Sequence, residues 1–240
     1  MQNVLRQIFP DRCIGCGAMV DGHHGLCGAC WAEIGFIEDL ACDGCGLPLP
    51  GEDTRAFCDT CLRRPRPWDH GRAAILYKER GRKLILSLKH GDRTDLVPAM
   101  ARWMRAAGDD VLAPGSILVP VPAHWTRTVR RRYNQAALLA KELARISGLG
   151  YVPDGLVRHR VTEPQSGDDS ETREDNVALS MAPHPRRPFA LDGKSVVLID
   201  DVLTSGGTLA ETARAARASG AQEVSILVLA RTPEAPYIRR

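Results

Sequence analysis

The apolar residues of this chain fall into runs of two kinds. Val196, Val197, Leu198 and Ile199 are continuous, with no polar residue between them, and residues 224–230 are nearly so. Short unbroken apolar runs fit strands buried on both faces, as in a parallel sheet. Between these runs the period changes. Leu209, Ala213 and Ala216 share one helical face, with Glu211, Arg214 and Arg217 opposite, and Gly220 ends the helix. Upstream, residues 73–77 predict a short strand. Leu84, Ile85 and Leu88 predict a helix that ends at Lys89-His90-Gly91, and Leu96, Met100, Trp103 and Met104 mark a second. Residues 116–122 predict a strand whose end is fixed by Pro120 and Pro122. Ala136, Leu139, Ala140, Leu143 and Ile146 then give an amphipathic helix closed by Gly148. Strands alternating with helices predict an α/β domain built on a parallel, Rossmann-like sheet.

The punctuation between 199 and 209 carries chemistry. The strand delivers two adjacent carboxylates, Asp200 and Asp201, followed by Val202, Leu203 and then Thr204, Ser205, Gly206, Gly207 and Thr208. Backbone N–H groups at a helix start attract an anion, and glycines let a phosphate approach closely. The hydroxyls add donors. There is no lysine in the loop, so it is not a P-loop. A Gly-Gly turn alone is usually structural; acids in front and hydroxyls on both sides reverse that weighting. The stretch resembles the PRPP-binding motif of type I phosphoribosyltransferases. The resemblance implies that Asp200 and Asp201 take the ribose hydroxyls and carry the catalytic role, and that residues 202–208 bind PRPP with the 5′-phosphate on 204–208.

All eight cysteines lie in the first quarter, as Cys13/Cys16, Cys27/Cys30, Cys42/Cys45 and Cys58/Cys61. Each Cys-x-x-Cys knuckle points two thiolates at one metal, and two knuckles complete a closed four-cysteine zinc site. Two structural zinc ions are expected in a double ribbon over residues 1–65. Sequential pairing of neighbouring knuckles is expected, and the spacing also allows a cross-braced arrangement. His23 and His24 could substitute as ligands, though eight thiols suffice. Disulfides are disfavoured without a secretion signal. The start of the chain is too short and broken for a signal peptide, and no apolar run approaches the roughly 18 residues of a membrane span. A cytoplasmic protein is expected.

Net charge is +3 but unevenly spread. Residues 1–69 hold 6 basic and 10 acidic side chains, net −4; residues 70–160 hold 17 and 7, net +10; residues 161–240 hold 9 and 12, net −3. The basic middle implies an anionic partner, a polyphosphate or a nucleic acid. The ribbon is acidic and each zinc with its four thiolates adds roughly −2, which argues against the ribbon as the nucleic-acid surface. Arg127, Arg130, Arg131 and Arg132 follow a proline-locked strand end, where α/β proteins place ligands. Together with Lys89, Arg127, Arg130 and Arg131 are the candidates for pyrophosphate or anion binding.

Val119-Pro120-Val121-Pro122, those arginines, Tyr133-Asn134-Gln135, then Thr162, Gln165, Arg173 and Asn176, and finally the Asp-Asp loop are similar to the ComF family, of the ComFC/GntX type. In that family a cysteine module precedes a phosphoribosyltransferase domain. Here the division falls at residues 1–65 and 70–240, with Pro65-Arg66-Pro67 between them and a lid or hood at 161–190. The chain departs from the family at Arg132-Tyr133, where Gly-Phe is usual, at Asp168 in place of leucine, and at Ala178-Leu179-Ser180 in place of Gly-Ala-Phe. These departures bear on the pocket for a second substrate.

The resemblance implies phosphoribosyl transfer from PRPP, bound with Mg2+, to a nitrogen acceptor. It equally implies a DNA-uptake factor for natural competence that handles single-stranded DNA alongside other competence proteins. A PRPP sensor without turnover would need the same loop. A stacking platform for single strands would use interleaved aromatics; only Trp125 and Tyr133 lie near the arginines. His90, His124 and His159 are scattered and read as solvated.

Overall fold

The computed structural model describes residues 11–22, 25–51, 56–123, 133–158 and 181–233. Five strands form one sheet: β1 (Gly71–Leu76), β2 (Ile117–Pro120), β3 (Gly150–Tyr151), β6 (Ser195–Leu203) and β7 (Glu223–Arg231). Their order is β1-β7-β6-β2-β3, and every pairing is parallel. Two more strands, β4 (Leu156–Arg158) and β5 (Met181–Pro183), form a separate antiparallel pair. They flank residues 159–180, which lie outside the described residues and include 161–180 of the expected hood; its remainder, 181–190, is described and begins with β5.

The continuous apolar runs are the central strands because both sheet faces are covered. Val196 and Leu198 of β6 share one core with Ile226 and Val228 of β7; Val197 and Ile199 share the other with Leu227 and Leu229. Against the second face lie α3 (Glu79–His90), α4 (Val97–Ala107) and α5 (Gln135–Ser147). Against the first lie α6 (Gly207–Ala218) and the β4/β5 pair. Each fully buried side chain of this kind contributes about 1.5–3 kcal/mol. Strand β6 is longer than its apolar run. It continues through the acidic pair, with Asp200 in register with Val228 and Val202 with Ala230.

Two short helices, α1 (Gly28–Ala32) and α2 (Asp59–Arg63), carry Cys30 and Cys61 and start at N-caps Cys27 and Cys58. The cysteine segment is not held off on a spacer. It runs along the outer edge of β1, where Leu76 N–H donates to Gly35 O, Ile37 N–H to Ala74 O and Gly71 N–H to Asp43 O (2.9, 3.1 and 2.7 Å). That edge would otherwise present unpaired backbone groups. Packing is tight: a Cβ on Gly71 would lie 2.6 Å from Gly44 O, so only glycine fits there. The second cysteine cluster sits within the α6-side core with Trp68 and Leu209. Trp68 is buried and donates its indole N–H to Gly44 O at 2.7 Å.

Candidate active site and metal clusters

The cysteines group as Cys13, Cys16, Cys27 and Cys30, and as Cys42, Cys45, Cys58 and Cys61, with the sulfurs of each set within 4.8 Å of one another. Pairing is therefore sequential. None of the eight is in a disulfide. The two clusters repeat one geometry. Cys16 and Cys27 sulfurs are 3.7 Å apart, as are those of Cys45 and Cys58. Tetrahedral zinc with Zn–S bonds of about 2.3 Å requires sulfurs about 3.8 Å apart. Cys27 N–H donates to Cys13 Sγ at 3.3 Å, and Cys58 N–H to Cys42 Sγ at 3.2 Å. At Cys13, burial works against ionisation, but the backbone N–H groups of Cys27, Gly15 and Cys16 outweigh it and bring the thiol down to about 6. Hydrogen bonds from Cys45 and Cys61 lower Cys42. Cys45 is raised by the same bonds to Cys42 and Cys61, and Cys30 chiefly by burial. One thiolate thus opposes the ionisation of its neighbours, and four can coexist only around a cation. Both donor sets fit zinc.

The second centre lies where β6 ends. A cavity of about 320 Å³ is lined by Asp200 and Asp201, by residues 202–209, and by side chains from three other elements. Three hydrogen bonds assemble it. Asn134 caps α5 by accepting from Ala136 N–H at 3.0 Å, and its Nδ2 donates to Val121 O at 3.0 Å, tying the helix start to the end of β2. Tyr133 Oη donates to Leu88 O at 2.7 Å, which fixes the last turn of α3 beside the cavity. Lys89, in that turn, then reaches Asp201, with Nζ 2.9 Å from Oδ1. Asp200 faces different company: its Oδ1 accepts the N–H of Asp201 at 2.8 Å.

The loop after the acids is shaped to present donors. Gly206 has φ +90°, a conformation that L side chains rarely adopt, and it is the N-cap of α6 with no side chain capping the helix. Ser205, Gly206 and Gly207 N–H have no partner among the described residues. From behind, Arg231, itself buried, donates from Nη1 to Thr204 O at 3.1 Å and to Thr232 O at 2.8 Å. A trans peptide carries its C=O and N–H on opposite sides, so holding the Thr204 carbonyl turns Ser205 N–H away from Arg231. Around Gly207 the space is open; a Cβ there meets nothing within 4 Å. An uncapped helix start with glycines and free amides can hold a phosphate, and an adjacent acidic pair can accept from vicinal hydroxyls.

The structure thus unites Asp200, Asp201, residues 202–208 and Lys89 in one cavity. Arg127, Arg130, Arg131 and Arg132 lie outside the described residues, as do Thr162, Gln165, Arg173 and Asn176. Several neighbours were not singled out from the sequence as ligands: Tyr77, Arg158 at the end of β4, and Gln135. Gln135 is buried yet its Nε2 has no partner among the described residues. It had a signal, since it follows Asn134 in a family motif. Arg158 had none, because its place depends on a three-residue strand.

A double-zinc-ribbon segment joined to a phosphoribosyltransferase domain is the class that this arrangement defines. The family model described as double zinc ribbon domain matches residues 4–68, and that described as phosphoribosyl transferase domain matches residues 134–238. Competence protein F of Haemophilus influenzae is 30% identical over 236 residues, covering 95% of this chain and 100% of its own. DNA utilization protein YhgH of Escherichia coli K12 is 29% identical over 216 residues, covering 88% and 92%. The chain belongs to the ComF family. Adenine phosphoribosyltransferase of Rhodococcus jostii is 30% identical over 159 residues, 59% of this chain and 86% of that one. No helix among the described residues is long and apolar enough to cross a membrane.

Proposed function

We propose that the cavity binds PRPP with Mg2+ and that the protein transfers its phosphoribosyl group to a nitrogen acceptor. One observation carries this reading: an acidic pair on the central strand opens directly onto an uncapped helix start made of glycines and hydroxyls. In this reading Asp200 and Asp201 accept from the ribose 2′- and 3′-hydroxyls. The amides and hydroxyls of residues 204–208 hold the 5′-phosphate. Lys89 is a cation inside the cavity for the pyrophosphate, and Arg127, Arg130 and Arg131 are assigned to the same charge. Mg2+, held by the phosphates of PRPP, would supply charge neutralisation for the leaving group. The C1–O bond breaks with its electron pair leaving on pyrophosphate, the acceptor nitrogen forms the new bond to C1, and the acceptor proton is lost. The protein's part is electrostatic, by fixed donors and cations and by exclusion of water. A reducing, cytoplasmic setting suits eight cysteines outside any disulfide.

Calorimetric titration with Mg-PRPP, with and without candidate nucleobases, combined with an assay for released pyrophosphate, tests this. Absence of binding at millimolar ligand overturns the reading. Binding without pyrophosphate release for any base leaves a PRPP sensor. The names of the relatives, competence protein and DNA utilization protein, favour a second reading in which the same chain handles single-stranded DNA.

A further inference from the structure

Arg66 stands between the second cysteine cluster and the glycine loop. Its Nε donates to Cys61 Sγ at 3.5 Å, and its Nη1 donates to Ser205 O at 2.9 Å. The guanidinium carbon lies 5.5 Å from the centroid of the Trp68 ring. Trp68 is itself tied to Gly44, inside the Cys42/Cys45 knuckle. On the loop side the fit is close: a Cβ on Gly206 would lie 2.9 Å from Arg66 Nη1 and 3.4 Å from the Trp68 ring. Arg66 and Arg231 thus hold successive carbonyls of the loop, Ser205 and Thr204. By the same trans-peptide geometry, Arg66 turns Gly206 N–H away from itself, and Gly206 lines the cavity.

We infer that Arg66 is a positioning residue through which the second four-cysteine cluster governs the affinity of the loop for 5′-phosphate ligands. The inference rests on residues 204–208 being a phosphate site. A metal-bound cysteine is a thiolate and a strong acceptor for a guanidinium. With the cluster filled, Cys61 fixes one side of the Arg66 fork and the other side fixes the Ser205 peptide. With the cluster empty, that anchor is weakened and the Gly206 amide loses its preset direction, so the ligand must order the loop as it binds. The coupling is reciprocal: a ligand favoured by the filled cluster must also help retain its metal. First-cluster contacts lie elsewhere, where Arg80 donates to Gly15 O and pairs with Glu33.

The test uses the full zinc-loaded chain. Arg66→Met keeps all eight cysteines and an unbranched stem against Trp68. Arg64→Met removes an exposed guanidinium two residues away as the control. Calorimetry should show Arg66→Met weakening Mg-PRPP by roughly ten- to 150-fold, the range for losing a hydrogen bond to a charged group. Arg64→Met should stay within about twofold, on the scale of ordinary surface substitutions. Transfer of zinc to a chromogenic chelator should be faster for one of the two ions in Arg66→Met, and Mg-PRPP should slow that ion's release in the wild type only. Wild-type affinity in Arg66→Met, or zinc release that ignores Mg-PRPP in the wild type, overturns the coupling while leaving the loop assignment intact. A wild type that binds no Mg-PRPP overturns the loop assignment and the coupling with it.

Discussion

Two neighbouring carboxylates on one strand face different surroundings, and this sets the experiment at the scale of the residue. Asp201 is paired to Lys89 across the cavity, while Asp200 is engaged by the backbone that follows it. Asp201→Asn keeps the shape and removes a charge-assisted acceptor, worth about 1.5–3 kcal/mol, or roughly ten- to 150-fold in Mg-PRPP affinity. Simple 5′-phosphates should bind almost as before, because they use the loop. Gly207→Val reverses that pattern. Open space around Gly207 lets the variant fold with its zinc content unchanged, but the branched side chain fills the phosphate position and should abolish binding of both ligand types. Calorimetry on the two variants, with zinc measured by elemental analysis, checks both outcomes. Gly207→Val binding Mg-PRPP like the wild type would sink the assignment. These residues were legible because acids, glycines and hydroxyls sit together between 200 and 208. Arg66 was not: in sequence it is the middle of a Pro-Arg-Pro connector, and its partner Ser205 is 139 residues away.

At the scale of the element, the start of α5 carries more than its own helix. Asn134 serves the helix through Oδ1 and the end of β2 through Nδ2. Asn134→Ala should cost about 0.5–2 kcal/mol from the lost cap, read as a lower midpoint in denaturant unfolding. It should also loosen the cavity wall that Val121 and Tyr133 form. Asn134→Asp keeps a capping oxygen and loses the donor to Val121, so its stability should fall between the other two. An alanine variant as stable as wild type would show that the cap contributes nothing. Among the described residues, periodicity found every central strand and every long helix, since burial on two faces or one stripe writes itself into the sequence. It missed β3, β4 and β5, which have two or three residues each and no period to detect. It also ended the central strand too early, because an acidic pair reads as a loop until backbone pairing with β7 shows otherwise.

For the whole molecule, the cysteine clusters are part of the sheet's architecture. Structural zinc contributes about 10–16 kcal/mol of apparent binding free energy in small peptides. Because the ribbon covers the edge of β1 and shares a core with α6, chelation should unfold the ribbon and also perturb the body. Elemental analysis should find two zinc ions per chain, and chelator treatment should shift the fluorescence of buried Trp68. Protein purified without chelators and containing no zinc would contradict this. Charge is a second property of the whole. If Arg127, Arg130, Arg131 and Arg132 bind single-stranded DNA, log affinity should fall with log salt by about 0.7 per neutralised phosphate. Replacing two of the four by alanine should flatten the slope by roughly 1.4. No binding at low salt would remove the physical support for the DNA reading. Taken by itself, the sequence determined the kinds of the longer elements, the eight cysteine ligands as four knuckles and the acid-then-glycine loop, because each is written within one short segment by burial period or ligand spacing; which knuckles pair was decided by the structure. Only the tertiary structure decided that the ribbon closes the edge of β1, that Lys89 meets Asp201 and that Arg66 joins a cysteine cluster to the loop. Those contacts join residues far apart in the chain, and they follow from strand order and helix placement, which no local pattern encodes.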